Sequence, residues 1–150
     1  MRILLCTVLD KLKNLIGLID TRKRENITSE LMAKLQIDTQ DQTKTVDKLS
    51  GGNQQKVVIA RWLATQPRLL IMNDPTRGID VGTKEEIYTL MNKLVSDGMP
   101  IVLTSSEIDE VIGLSDRILI MYKGKVVFSC GRGESTKEEL LHYVNMGEAI

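Results

Sequence analysis

The chain has 150 residues, 42% hydrophobic, 27% charged and 3% aromatic, a composition that suits roughly one globular domain with a sizeable core. Twenty basic residues balance twenty acidic ones, which excludes a global field aimed at nucleic acid or an anionic membrane surface. Cys6 and Cys130 lack metal-ligand spacing, so both are expected to be reduced, cytosolic thiols used in packing.

The apolar run 3–9 follows Met1 and Arg2 in the manner of a secretion signal. Asp10, Lys11 and Lys13 interrupt it too early, and no small-residue cleavage site follows. No stretch approaches the roughly 18 apolar residues of a spanning helix, so direct membrane insertion is not expected. Val8, Leu9, Leu12, Leu15, Ile16 and Ile19 fall on one helical stripe. Arg22, Lys23 and Arg24 read as a solvated turn, since three basic residues without interleaved aromatics make no nucleic-acid surface. A second helical pattern follows, with Ile27, Leu31 and Leu35 on one face, and the polar stretch 38–48 reads as a loop.

From Gly51 a helix is expected to about Thr65, largely buried because Val57, Val58, Ile59, Trp62 and Leu63 are apolar on most sides, with Pro67 ending it. Residues 69–72 and 101–103 read as short strands covered on both faces. Between them, 83–96 is the clearest amphipathic helix, with Ile87, Leu90, Met91, Leu94 and Val95 at helical spacing and a stop at Asp97-Gly98. A short helix is expected around 108–112. Strands at 118–122 and 126–128 join through Lys123-Gly124 as a two-residue hairpin. A last helix over 135–146 begins with the capping box Ser135-x-x-Glu138 and stops before Gly147. Strands alternating with helices argue for an α/β sheet, mostly parallel, ending in an antiparallel hairpin, with a separate helical layer in the first fifty residues.

Ser50 is a good N-cap, and Gly51 and Gly52 let a ligand approach the backbone closely. Free N–H groups and the helix dipole favour an anion there, although a capped helix after a glycine turn would look the same. Asp80 could likewise simply cap the helix beginning near Val81, and Ser106 the helix after it. His142 has no second ligand or carboxylate partner nearby in sequence and reads as a surface or packing residue.

The run Leu49-Ser50-Gly51-Gly52-Asn53-Gln54-Gln55-Lys56 resembles the signature motif of ABC-transporter ATPases. Leu69-Leu70-Ile71-Met72-Asn73-Asp74-Pro75 resembles their Walker B strand, Gly78-Ile79-Asp80 their D-loop, and Thr104-Ser105-Ser106-Glu107 stands at their switch position. Together these are similar to the second ATPase domain in the ATP-binding subunits of ribose-, xylose- or galactose-type importers, over residues 15–147. The resemblance implies part of a P-loop NTPase (ABC ATPase) fold. Residues 1–48 would form part of a helical subdomain, and 49–150 the signature, Walker B, D-loop and switch part of the core. It implies ATP and Mg2+ as cofactors, with Leu49, Ser50, Gly51, Gly52, Asn53, Gln54 and Asp80 facing ATP held by an opposite domain. Asn73 stands at the magnesium position, Asp74 at that of the general base, and Ser106 at the γ-phosphate sensor. The implied partners are a second ABC ATPase domain and membrane permease subunits, with no nucleic acid. The implied location is cytoplasmic, peripheral to the inner membrane through the permease.

The chain also departs from that family. It contains no Gly-x-x-x-x-Gly-Lys-Ser/Thr loop and no Q-loop. Asn73 replaces an Asp and offers magnesium no charge, while Asp74 replaces a Glu and is shorter by about 1.5 Å of reach. The expectation is therefore a truncated component, poorly hydrolytic and marginally stable alone, because the family's Walker A strand would lie between the strands at 101–103 and 118–122. A non-catalytic module that presents its signature motif to a partner ATPase or a permease is the alternative. A soluble ABC ATPase of DNA repair is disfavoured by the absence of long heptad arms, and one of translation by Arg77-Gly78 after Pro75-Thr76.

Overall fold

The computed structural model describes residues 20–38 and 45–147. The helical stripe at 8–19, Cys6 and loop residues 39–44 lie outside the described residues. In chain order the elements are α1 (Thr21–Lys34), a 3-10 turn (Val46–Lys48), α2 (Gly51–Leu63), β1 (Leu70–Asn73), α3 (Val81–Ser96), β2 (Ile101–Thr104), α4 (Ile108–Leu114), β3 (Arg117–Tyr122), β4 (Lys125–Gly131) and α5 (Lys137–Met146). The architecture is α/β, and two compact units divide it. The first runs to Leu70 and resumes over Pro75–Ile101; the second takes Ile71–Asp74 and the residues from Val102 onward.

The first unit is helical. Asp20 caps α1 by accepting the Lys23 N–H at 3.0 Å, and Leu31, Met32 and Leu35 form the buried face. Helix α2 buries Val57, Ile59 and Ala60, whereas Val58 is 40% and Trp62 54% exposed. The expectation of a largely buried α2 is thus corrected: the helix covers one face only, against α1 and α3. It ends at Leu63, ahead of Pro67. The turn that closes it is made by the Thr65 and Gln66 N–H groups, which donate to the Trp62 and Leu63 carbonyls. In α3, Ile87, Leu90, Met91 and Leu94 are buried at helical spacing, but Val95 lies off that stripe and is exposed. Gly98 follows the Asp97 cap at φ +87°, as the left-handed exit of a helix requires.

Lys56 is a buried charge of this unit. Its ammonium donates to Glu86 Oε2 at 2.8 Å and to the Gln36 carbonyl at 3.2 Å. Helix α2 is thereby tied both to α3 and to the segment leaving α1, and the charge is satisfied as burial demands.

Strand β1 alternates: Leu70 and Met72 are buried while Ile71 is 69% exposed. In β2, Val102 is likewise exposed. The expectation of strands covered on both faces is corrected, since a continuous apolar run does not reveal how many faces are packed. The Leu70 N–H donates to the Pro100 carbonyl and the Asp74 N–H to that of Thr104. Among the described residues the strands form two pairs, β1 with β2 and β3 with β4.

The β3–β4 hairpin is antiparallel and turns through Lys123 and Gly124, at φ +47° and +79°, the pair of left-handed positions that a two-residue loop needs. Ile120 pairs with Phe128 and Met121 with Val126, so Val127 is the extra residue of a bulge. One face of the hairpin supplies Ile118, Ile120 and Cys130 to a core completed by Leu140 of α5 and flanked by Ile108, Val111 and Ile112 of α4. The Phe128 and Tyr143 rings stack with centroids 4.2 Å apart. Thr136, not Ser135, caps α5 by accepting the Glu139 N–H at 3.2 Å. The capping box is therefore corrected by one residue, and the Ser135 hydroxyl instead donates to the Glu139 carboxylate at 2.7 Å. Gly147 ends α5 at φ +73°. Among the described residues no helix is long and apolar enough to cross a membrane.

Leu140 is 1% exposed at the centre of the second unit's core. Leu140→Ala is expected to lower stability by about 2–5 kcal/mol, measured by urea denaturation followed by far-UV circular dichroism.

Candidate functional site

The residues singled out in the sequence fall into two groups, one in each unit. Leu49, Ser50, Gly51, Gly52, Asn53, Gln54 and Asp80 belong to the first; Asn73, Asp74 and Ser106 belong to the second.

Ser50 caps α2. Its Oγ accepts from the Asn53 side-chain amide at 3.0 Å and from the Asn53 N–H at 3.4 Å. Asn53 Oδ1 in turn accepts the Asp38 N–H at 3.0 Å, and the Gln54 side chain donates to the Leu49 carbonyl at 2.9 Å. These contacts hold the turn before the helix, where first-turn N–H groups lack intrahelical acceptors. Ser50 and Gly51 are exposed and Gly52 is buried. A Cβ added at Gly52 would stand 2.2 Å from Thr83 Cγ2, so this glycine is required by close packing rather than by its backbone angle.

Thr83 cannot easily yield. Its N–H donates to Asp80 Oδ1 at 2.9 Å and its hydroxyl to Asp80 Oδ2 at 2.7 Å, so Asp80 is the N-cap of α3. These two bonds, the hydroxyl's first, hold the Asp80 carboxyl below its ordinary value. Gly78, at φ +77°, turns the preceding chain. Thr83 carried no signal in the sequence, because its contact with Gly52 joins two separate helices.

In the second unit, Asp74 follows β1 at φ +44°, a left-handed position that Asp tolerates better than most residues. Asp74 Oδ1 accepts both the Ser106 N–H at 2.7 Å and the Ser106 hydroxyl at 3.0 Å. Asn73 Oδ1 accepts the Thr104 hydroxyl at 2.5 Å. The structure therefore brings all three residues together at one end of the β1–β2 pair. The alternative reading of Ser106 as the cap of the next helix is corrected: Glu107 holds the N-cap position of α4, and the Glu107 N–H donates to Ser105 Oγ. Ser106 also lines a cavity of about 270 Å³ with Ser105, Ile108, Leu119, Leu141 and Val144.

Asn73 is neutral and its amide oxygen accepts from Thr104, so this residue offers a magnesium ion no charge. Burial raises the Cys130 thiol, and the charges of Glu134 and Glu139 add to the effect, as for an inert packing cysteine. His142 is half-buried, with its ring edge-on to Tyr143, in keeping with a packing role.

Residues 5–77 match the family described as ABC transporter. The chain is 47% identical over 131 residues to "Ribose import ATP-binding protein RbsA" of Oceanobacillus iheyensis, covering 87% of this chain and 26% of that protein. It is 45% identical over 126 residues to a "ribose/galactose/methyl galactoside import ATP-binding protein" of Pseudomonas savastanoi pv. phaseolicola, covering 84% and 24%. Among solved structures it resembles the dimeric post-hydrolysis state of an ATP-binding cassette bound to ADP and Pi. That match has a TM-score of 0.64 and 28% identity, over 77% of this chain and 50% of that one. The chain thus spans about a quarter of the length of the curated relatives it matches.

Two outcomes follow from this geometry. Gly52→Ala should destabilise the chain by about 1–3 kcal/mol through overpacking, and adding Thr83→Ser, which removes Cγ2 but keeps the hydroxyl, should restore most of that loss. Denaturation followed by Trp62 fluorescence measures both. The second outcome concerns pH. Because the folded Asp80 carboxyl lies below its ordinary value of 3.8, its contribution is complete above that value and is lost as pH falls through the lower folded one. Hydrogen exchange at the Thr83 amide should quicken over that acid range relative to the intrinsic rate, and Asp80→Asn should abolish the pH dependence.

Proposed function

The chain belongs to the ABC transporter family, and on that premise we propose that it forms the signature-bearing part of a carbohydrate importer's ATP-binding component. It couples ATP binding and hydrolysis to sugar uptake. The observation that carries this reading is the start of α2. Ser50 is fixed by Asn53, Gly51 is open to solvent, and Gly52 is held against Thr83. The helix N-terminus is thereby shaped for an anionic phosphate. ATP, with its magnesium, is held by the phosphate loop of a second ABC ATPase domain, and Leu49, Ser50, Gly51, Gly52, Asn53, Gln54 and Asp80 close over it from this side. Residues 1–48 supply part of the helical subdomain that faces the permease, which keeps the protein at the cytoplasmic side of the inner membrane. The remaining residues, 49–150, belong to the mostly parallel core. The common 30-residue offset of Leu70–Pro100 and Asp74–Thr104 supports that orientation for β1 and β2.

Hydrolysis by this chain on its own is not part of the proposal. Asn73 Oδ1 and Asp74 Oδ1 both accept protein donors, which favours a second reading: a non-catalytic module that completes a partner's ATP site or docks on a permease. The exposed apolar rows of Ile71 and Val102, and of Leu119 and Met121, support the view that further ABC-domain elements cover these strands.

The purified chain is expected to stay at background ATP hydrolysis. A domain carrying the phosphate loop should gain activity when the chain is added, and Ser50→Arg should remove that gain. Hydrolysis by the chain alone, or a gain that survives Ser50→Arg, would overturn the reading.

A further inference from the structure

Three consecutive hydroxyl residues run from the last position of β2 into the loop after it, and each grips a different partner. Thr104 donates to Asn73, Ser105 Oγ donates to Glu110 Oε2 at 2.6 Å, and Ser106 donates to Asp74. Ser105 thus turns to α4 while Ser106 turns to the end of β1. Glu110 is 6% exposed, and a carboxyl that deep requires donors. The Ser105 hydroxyl has one proton and gives it to Glu110; its lone pair accepts the Glu107 N–H at 3.0 Å. The loop between β2 and α4 is thus latched from within the helix.

That helix is itself anchored. Ile108, Val111 and Ile112 pack on the hairpin core, the Lys137 ammonium meets the Asp109 carboxylate at 2.7 Å, and Arg132 donates to the carbonyls of Leu114 and Ser115 at 3.3 and 3.1 Å. We propose that Glu110 is a positioning residue for Ser106. Acting through Ser105, it holds the loop so that the Ser106 N–H and hydroxyl converge on Asp74. The latch is carried by these contacts alone and does not depend on the proposed function.

The simpler role would be to stabilise the first turn of α4 and nothing else. Hydrogen exchange at the Ser106 amide of the full chain, followed by NMR and referenced to β3–β4 ladder amides, separates the two. Glu110→Leu and Ser105→Ala should each speed Ser106 exchange by about tenfold relative to the ladder, the protection of one hydrogen bond. The double variant should lose no more than either single one, because the two residues act as one link. Glu110→Gln keeps an acceptor oxygen and should stay close to wild type. Ser106 exchange that merely follows the ladder in Glu110→Leu and Ser105→Ala, or that is unprotected in the wild type, overturns the proposal. If Glu110→Leu does not fold, Ser105→Ala decides alone. Failure of the mixed hydrolysis assay would sink the proposed function and leave this exchange result standing.

Discussion

Asp74 Oδ1 takes two hydrogen bonds from one residue, the amide and the hydroxyl of Ser106. This contact joins the end of β1 to the loop after β2, residues 32 apart in sequence. With Thr104 on Asn73, it leaves neither side chain at the strand end without a protein donor. A carboxylate used in this way holds a loop in place. The energetic weight falls on the pair of donors, since bonds to a charged acceptor contribute more than neutral ones.

The first unit rests on a different device. Asp80 fixes Thr83, Thr83 limits the space at Gly52, and Gly52 lies in the first turn of the helix whose Lys56 reaches Glu86 and the Gln36 carbonyl. The start of α2 and the start of α3 are therefore shaped by each other. Lys56 carries the same linkage one turn further, because a buried ammonium that loses an acceptor faces a desolvation cost.

What could be read from the residues followed local physics. Lys123-Gly124 announced its hairpin because both turn positions need positive φ, and the stripe from Ile87 to Leu94 announced α3. Strand burial was not legible: residues 69–72 are apolar throughout, yet Ile71 faces outward. The α5 cap was ambiguous by one residue, since Ser135-x-x-Glu138 and Thr136-x-x-Glu139 are both capping boxes. Asn73, Asp74 and Ser106 could be named from their motifs, but the bond from Ser106 to Asp74 is a tertiary contact. Glu110 gave no signal at all, because its burial depends on how α4 settles on the hairpin.

The outward rows of the strands have a bearing on colloidal behaviour. Leu119, Met121 and Val126 are each more than half exposed on the hairpin, and the chain carries a formal net charge of zero at pH 7. Such a surface combines short-range attraction with no long-range repulsion to oppose it. The solubility of the chain is then expected to fall with concentration and to rise when a partner covers those rows.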